Sequence, residues 1–155
     1  MNHATSADGT CIAWTAEGSG PAVLLVHGIT ENRRAWDPVA RRLAAERTVV
    51  RLDLRGHGAS EPAADYGLAA MAADVVAVIE AAGLEPPDLV GHSLGGLVAT
   101  AVGAARPVRS VVNVDQPLAL AGFKAMLEPL RRPLEDPETF GPVLGQIFAQ
   151  MEGGC

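Results

Sequence analysis

The stretch Pro87-Asp88-Leu89-Val90-Gly91-His92-Ser93-Leu94-Gly95-Gly96-Leu97 constrains the fold of this chain more than any other. Leu89-Val90 reads as the end of a buried strand, and residues 94–105, rich in Leu, Val and Ala, read as a helix. Between them stands Gly91-His92-Ser93-Leu94-Gly95, a complete G-x-S-x-G. A serine at the tip of so sharp a strand-to-helix turn holds strained backbone angles. Its neighbours two positions before and two after crowd the strand and the helix, where only a residue without a β-carbon fits. The turn lifts the hydroxyl out of the sheet and aims the first helical N–H groups at whatever bonds to it. Ser93 is therefore the candidate nucleophile. Three other readings compete. A dinucleotide fingerprint needs G-x-G-x-x-G, and Ser93 occupies the second glycine's place. A phosphate loop needs Lys-Ser/Thr after G-x-x-x-x-G, and Leu97-Val98 follow Gly96 instead. A plain Gly-rich turn is compatible with the 17 glycines of the chain.

Strands and helices alternate around this turn. Cys11-Ile12-Ala13-Trp14-Thr15 is a short strand, closed by Glu17-Gly18-Ser19-Gly20-Pro21. Ala22 to Val26 is continuously apolar, as a strand buried on both faces of a parallel sheet must be. Asp37-Pro38 predicts a helix start with Asp as N-cap, and Trp36, Val39 and Leu43 its apolar face. Thr48 to Leu54 is the next strand; Leu68, Met71, Val75, Val78 and Ala82 mark the next helix, which Gly83 stops. Pro107 bars continuation of the helix after Ser93, and Arg109 to Val114 is one more strand. The pattern β-α-β-α-β-α-β predicts an α/β fold, a mostly parallel sheet with helices on both faces.

Composition narrows the partners. A length of 155 residues suits about one domain with a real core. A net charge of −6 argues against nucleic acid and anionic membranes. Met1 to Asp8 lacks the basic and apolar segments of a signal peptide, and no apolar run reaches spanning length, so a cytoplasmic location is expected. Cys11 and Cys155 match no metal or redox spacing.

Three motifs, in this order, resemble those of the α/β-hydrolase family: His27-Gly28-Ile29-Thr30 after a strand, Asp53-Leu54-Arg55-Gly56-His57-Gly58-Ala59-Ser60 after the next, and Gly91-His92-Ser93-Leu94-Gly95-Gly96. The likeness runs from about Asp8 to Asp115. It implies a cofactor-free serine hydrolase core, truncated after the strand that follows the nucleophile helix, with domains at 1–116 (core) and 117–155 (part of a helical cap or lid). It implies acyl transfer from a small-molecule, ester-like substrate to Ser93, with the N–H groups of Leu94 and Ile29 as oxyanion donors and Gly28 supplying an unusual backbone turn. His27 is expected to be a structural loop histidine. His92, beside the nucleophile, is expected to project away from the hydroxyl and at most to line the substrate site. Asp53 and His57 are four apart, but Gly56 and Gly58 make that segment a loop, so no metal is expected there. Arg55 is expected to tie the loop down.

The family places an acid and then a histidine after the nucleophile. Histidines stand at positions 3, 27, 57 and 92, and none follows Ser93. Asp115 lies where some members keep the acid, or it is simply the polar end of a strand. Beyond it, Phe123, Met126, Leu127 and Leu130 share one helical face, and Val143, Leu144, Ile147, Phe148 and Met151 another; Phe123 is core or lines an acyl pocket. Two functional classes follow: the N-terminal part of an esterase-like enzyme, or a non-catalytic small-molecule-binding module. The strand over residues 109–114 would keep one bare edge, so self-association is expected.

Overall fold

The computed structural model describes residues 1–84 and 86–115, with the single positions 128, 138 and 142. The chain divides into two compact units, Met1–Gln116 and Pro117–Cys155, and the architecture that follows belongs to the first.

Ala22–Val26 forms β3, and its alternate residues enter two different cores. Leu24 and Val26 pack on one face of the sheet, Val23 and Leu25 on the other. That is what an apolar run without polar alternation requires: a strand covered on both sides. β3 lies between β4 (Thr48–Leu52) and β5 (Asp88–His92), parallel to both, and β6 (Ser110–Val114) runs parallel beyond β5. Helices α2 (Leu68–Ala81) and α3 (Leu94–Ala105) cover the Leu24 face through Val75, Val78, Ile79, Val98 and Val102. Helix α1 (Asp37–Leu43) covers the other through Ala40 and Leu43. The expected α/β class, mostly parallel with helices on both faces, is the architecture observed.

The amino-terminal edge differs from a purely parallel alternation. β1 (Asn2–Thr5) precedes β2 (Cys11–Glu17), and the sheet order is β1-β2-β4-β3-β5-β6. β1 pairs antiparallel with β2, and β2 antiparallel with β4. Asn2-His3-Ala4-Thr5 buries only Ala4, so it carries no apolar period; the edge of β2 supplies its ladder. The turn between them closes when Thr10 N–H donates to Asp8 Oδ1 at 3.0 Å and Ser6 N–H to the Thr10 carbonyl at 2.9 Å.

Helix α1 also departs from expectation by one position. Asp37 is its first residue rather than its cap, and its carboxylate pairs with Arg51. The stop before it is a single 3-10 turn, Arg33–Trp36, capped by Asn32 Oδ1 accepting from the Arg34 N–H at 3.0 Å. Ala40 is the residue driven into the core, while Val39 stays 41% exposed.

Candidate active site at the carboxyl ends of β3 and β5

The G-x-S-x-G serine stands between β5 and α3 with φ 49° and ψ −119°, outside the regions that L-residues ordinarily occupy. The packing that enforces this is backbone against backbone. A β-carbon on Gly91 would collide with the Gly95 carbonyl, and one on Gly95 with the Val26 carbonyl of β3. Strand and helix therefore approach more closely than any side chain permits, and the strain at Ser93 is the consequence. The Ser93 N–H donates to the Val114 carbonyl at 2.9 Å, and the Ser93 carbonyl accepts from the Gly96 N–H at 2.8 Å. Among the described residues the N–H of Leu94, the first of α3, has no acceptor.

The loop after β3 faces this turn. His27 is fully buried: its Nε2 accepts the Leu54 N–H at 3.0 Å, and its Nδ1 donates to the Gly28 carbonyl at 2.7 Å. One acceptor and one donor are used at once, which is the neutral ring. Burial holds His27 below the usual imidazole range, ahead of the opposing pull of the Gly28 carbonyl. The Gly28 carbonyl also accepts the Glu31 N–H at 3.2 Å. In a trans peptide N–H and C=O point in opposite directions, so anchoring the Gly28 carbonyl turns the Ile29 N–H the other way. That N–H too has no acceptor among the described residues. Gly28 is not in the left-handed region. Its lack of a side chain serves a close approach instead: a β-carbon there would lie 3.1 Å from His92 Nδ1 and 3.4 Å from Ser93 Cβ. The expected reason for Gly28, an unusual backbone turn, is thus replaced by crowding.

Two side chains hold this loop, His57, named in the sequence only as a metal candidate, and Glu31, which the sequence did not single out. His57 sets its two ring nitrogens against carbonyl oxygens, Arg55 at 2.9 Å and Ile29 at 2.7 Å. Glu31 Oε2 accepts the Gly28 N–H at 2.8 Å and meets His92 Nδ1 at 3.1 Å. Burial pushes the Glu31 carboxyl up, but the Gly28 N–H and His92 outweigh it and hold it below the ordinary carboxylate range. Glu31 belongs to no motif and no apolar period, so no pattern in the sequence points to it. His92 accordingly turns its Nδ1 to Glu31.

The loop after β4 is stiffened by charge. Asp53, fully buried, accepts from the Arg33 N–H at 2.7 Å and the Ala59 N–H at 2.9 Å and pairs with the Arg33 guanidinium. Asp53 and His57 face different partners, and among the described residues no three His, Cys, Asp or Glu gather as a metal site. Arg55 is buried against Asp74 of α2, with Nε to Oδ2 at 2.7 Å and Nη2 to Oδ1 at 2.6 Å, and reaches Asp8 and the Asp65 carbonyl. Asp115 follows β6 with φ 57°, exposed, next to Val114 whose carbonyl receives the Ser93 N–H. The sheet register thus brings Asp115 to the same end as Ser93 without giving its carboxylate a partner among the described residues. Phe123 lies outside the described residues.

The chain has counterparts among known proteins. Residues 21–151 match the alpha/beta hydrolase fold family. The chain belongs to that family. Lipase LipV of Mycobacterium tuberculosis is 41% identical over 109 residues, 68% of this chain and 41% of the lipase. N-formylmaleamate deformylase of Pseudomonas putida is 40% identical over 112 residues, 70% of this chain and 42% of the deformylase. The solved structure of AqDC, described as recognising and ring-cleaving the Pseudomonas quinolone signal, superposes with a TM-score of 0.84 at 25% identity, over 100% of this chain and 60% of its own. The chain spans about two fifths of the lipase and of the deformylase. Among the described residues no helix is long and apolar enough to cross a membrane.

Proposed function

We propose that this α/β-hydrolase chain carries the nucleophile and oxyanion loop of a serine hydrolase that cleaves an ester or related acyl bond through an acyl-enzyme on Ser93, and that it is the N-terminal portion of that enzyme. The observation that carries the reading is the backbone of Ser93, φ 49° and ψ −119° at a strand-to-helix turn, beside the N–H groups of Leu94 and Ile29, which have no acceptor among the described residues. Ser93 Oγ adds to the carbonyl carbon, the π electrons move to oxygen, and the two N–H groups stabilise that charge. Collapse expels the leaving group with a proton, and water then releases the acid.

The Oγ proton needs a base, ordinarily a histidine oriented by an acid. His27 and His57 commit both ring nitrogens to backbone groups, and His92 commits Nδ1 to Glu31. His3 lies on β1 at the opposite edge of the sheet. The family's order, with a histidine after the nucleophile, points to a base in the parent enzyme beyond this chain, with Asp115 as a candidate acid. The names of the relatives, a lipase and a deformylase, support an acyl substrate without choosing between ester and amide. The second reading is a module that binds small molecules without turnover.

The test is fluorophosphonate labelling with p-nitrophenyl acetate turnover. In the complete gene product Ser93 takes the label, and Ser93→Ala abolishes labelling and turnover. In the 155-residue chain turnover is lower by several powers of ten. Full activity of Ser93→Ala refutes the acyl-enzyme on Ser93; a complete gene product that binds ligand, takes no label and turns nothing over establishes the module.

A further inference from the structure

An oxyanion site made from two segments works only if the segments keep their spacing. The Leu94 N–H is fixed by the elbow, whose strand and helix touch backbone to backbone at Gly91 and Gly95. The Ile29 N–H sits on a loop where Ile29 is 63% exposed. Two of that loop's ties run away from the elbow. His57 Nε2 holds the Ile29 carbonyl from the β4 loop, and the Leu54 N–H holds His27. The side-chain bridge from loop to elbow is Glu31, through the Gly28 N–H at 2.8 Å on one side and His92 Nδ1 at 3.1 Å on the other. Both bonds use the same oxygen, Oε2, so the carboxylate draws the two segments to one point. That point is beside the reacting serine: the β-carbon position of Gly28 is 3.1 Å from Glu31 Oε2 and 3.4 Å from Ser93 Cβ.

We propose that Glu31 is a positioning residue, whose carboxylate bridges Gly28 and His92 and so sets the separation of the Ile29 and Leu94 N–H groups that receive the oxyanion. This rests on the hydrolase reading above. The Glu31 carboxylate bonds to the Gly28 N–H and His92, and to no atom of Ser93 among the described residues. Its negative charge is unfavourable near a forming oxyanion, and the Gly28 N–H and His92 offset it, so the function of the side chain is geometric. A neutral side chain of the same length keeps that function. Gln can set its carbonyl oxygen at the Oε2 position and accept both the Gly28 N–H and the His92 Nδ1–H.

The experiment compares Glu31→Ala, Glu31→Gln and Glu31→Asp in the complete gene product, using an activated ester, with folding followed by thermal unfolding. Losing one oxyanion donor outright costs about 100- to 1,000-fold in kcat, and a misplaced donor costs less. Glu31→Ala is expected to lower kcat about 10- to 100-fold with KM within about threefold, and Glu31→Gln to restore kcat to within about threefold of wild type. Glu31→Asp, one methylene short, reaches one partner and not both, and falls between. Its kcat decides the matter if the alanine variant does not fold. Wild-type kcat in Glu31→Ala or Glu31→Asp, a change confined to KM, or a Gln variant as slow as Ala overturns the proposal. Activity surviving Ser93→Ala overturns the Ser93 acyl-enzyme reading instead, so the two failures are distinguishable.

Discussion

The Arg55–Asp74 pair is the clearest place to perturb the scaffold beneath the site. Both side chains are fully buried and joined by two charge-assisted hydrogen bonds of 2.7 and 2.6 Å. Replacing Asp74 by Ala leaves a guanidinium inside the protein with Asp8 at 2.8 Å and the Asp65 carbonyl at 2.7 Å as its remaining close partners. Breaking a buried pair from one side costs about 3–5 kcal/mol. The surviving contacts place this case at the lower end, and the better helix propensity of Ala in α2 returns about 0.5 kcal/mol. A net loss of about 3 kcal/mol is expected, a large share of the stability of a domain held by about 5–15 kcal/mol. With a urea m-value of about 1.5 kcal/mol/M, the midpoint falls by about 2 M. Arg55→Met combined with Asp74→Ala removes both charges and recovers part of that loss, because no unpaired ion is left buried. Equilibrium urea unfolding followed by circular dichroism reads each variant. A midpoint shift below about 0.3 M for Asp74→Ala at unchanged m, or a double variant less stable than Asp74→Ala, would refute the reasoning.

Three further outcomes are expected. His27 is held below its ordinary value by burial, so the unfolded chain takes up the proton first; stability present above about pH 6.5 falls on acidification by up to about 1.4 kcal/mol per pH unit, until folded His27 itself titrates. Unfolding measured at stepped pH should show this slope and lose it in His27→Gln. Gly95→Ala, which drives a β-carbon into the Val26 carbonyl, should cost at least about 3 kcal/mol or yield no folded protein, and a cooperative thermal transition within about 3 °C of wild type would contradict that packing. The 155-residue chain should self-associate: β6 pairs on one side with β5 and on the other with no strand among the described residues, and its Val111, Val112 and Val114 are 37%, 47% and 40% exposed. A sharp monomer peak by size exclusion with light scattering at tens of micromolar would count against it.

What could be read from the sequence alone is what neighbours along the chain decide. The unbroken apolar run of β3 demands cover on both faces, and the spacing of Val75, Val78 and their partners demands a helix. Gly91 and Gly95, each two residues from Ser93, demand a turn too tight for β-carbons. These are local steric and periodic constraints, and the α/β class with a strained serine at a strand-to-helix turn follows from them. The tertiary structure decided what depends on groups distant in sequence. β1 is a strand because β2 offers it an edge, although Asn2-His3-Ala4-Thr5 has no pattern of its own. Asp74 sits in the buried face of an otherwise apolar helix because Arg55, 19 positions earlier, meets it there. Glu31 and His92, 61 positions apart, meet because β3 and β5 lie side by side with their carboxyl ends together. A polar side chain in a loop has no period to betray its partner; its role is set by which strand ends the sheet order brings together, and that order exists only once the chain has folded.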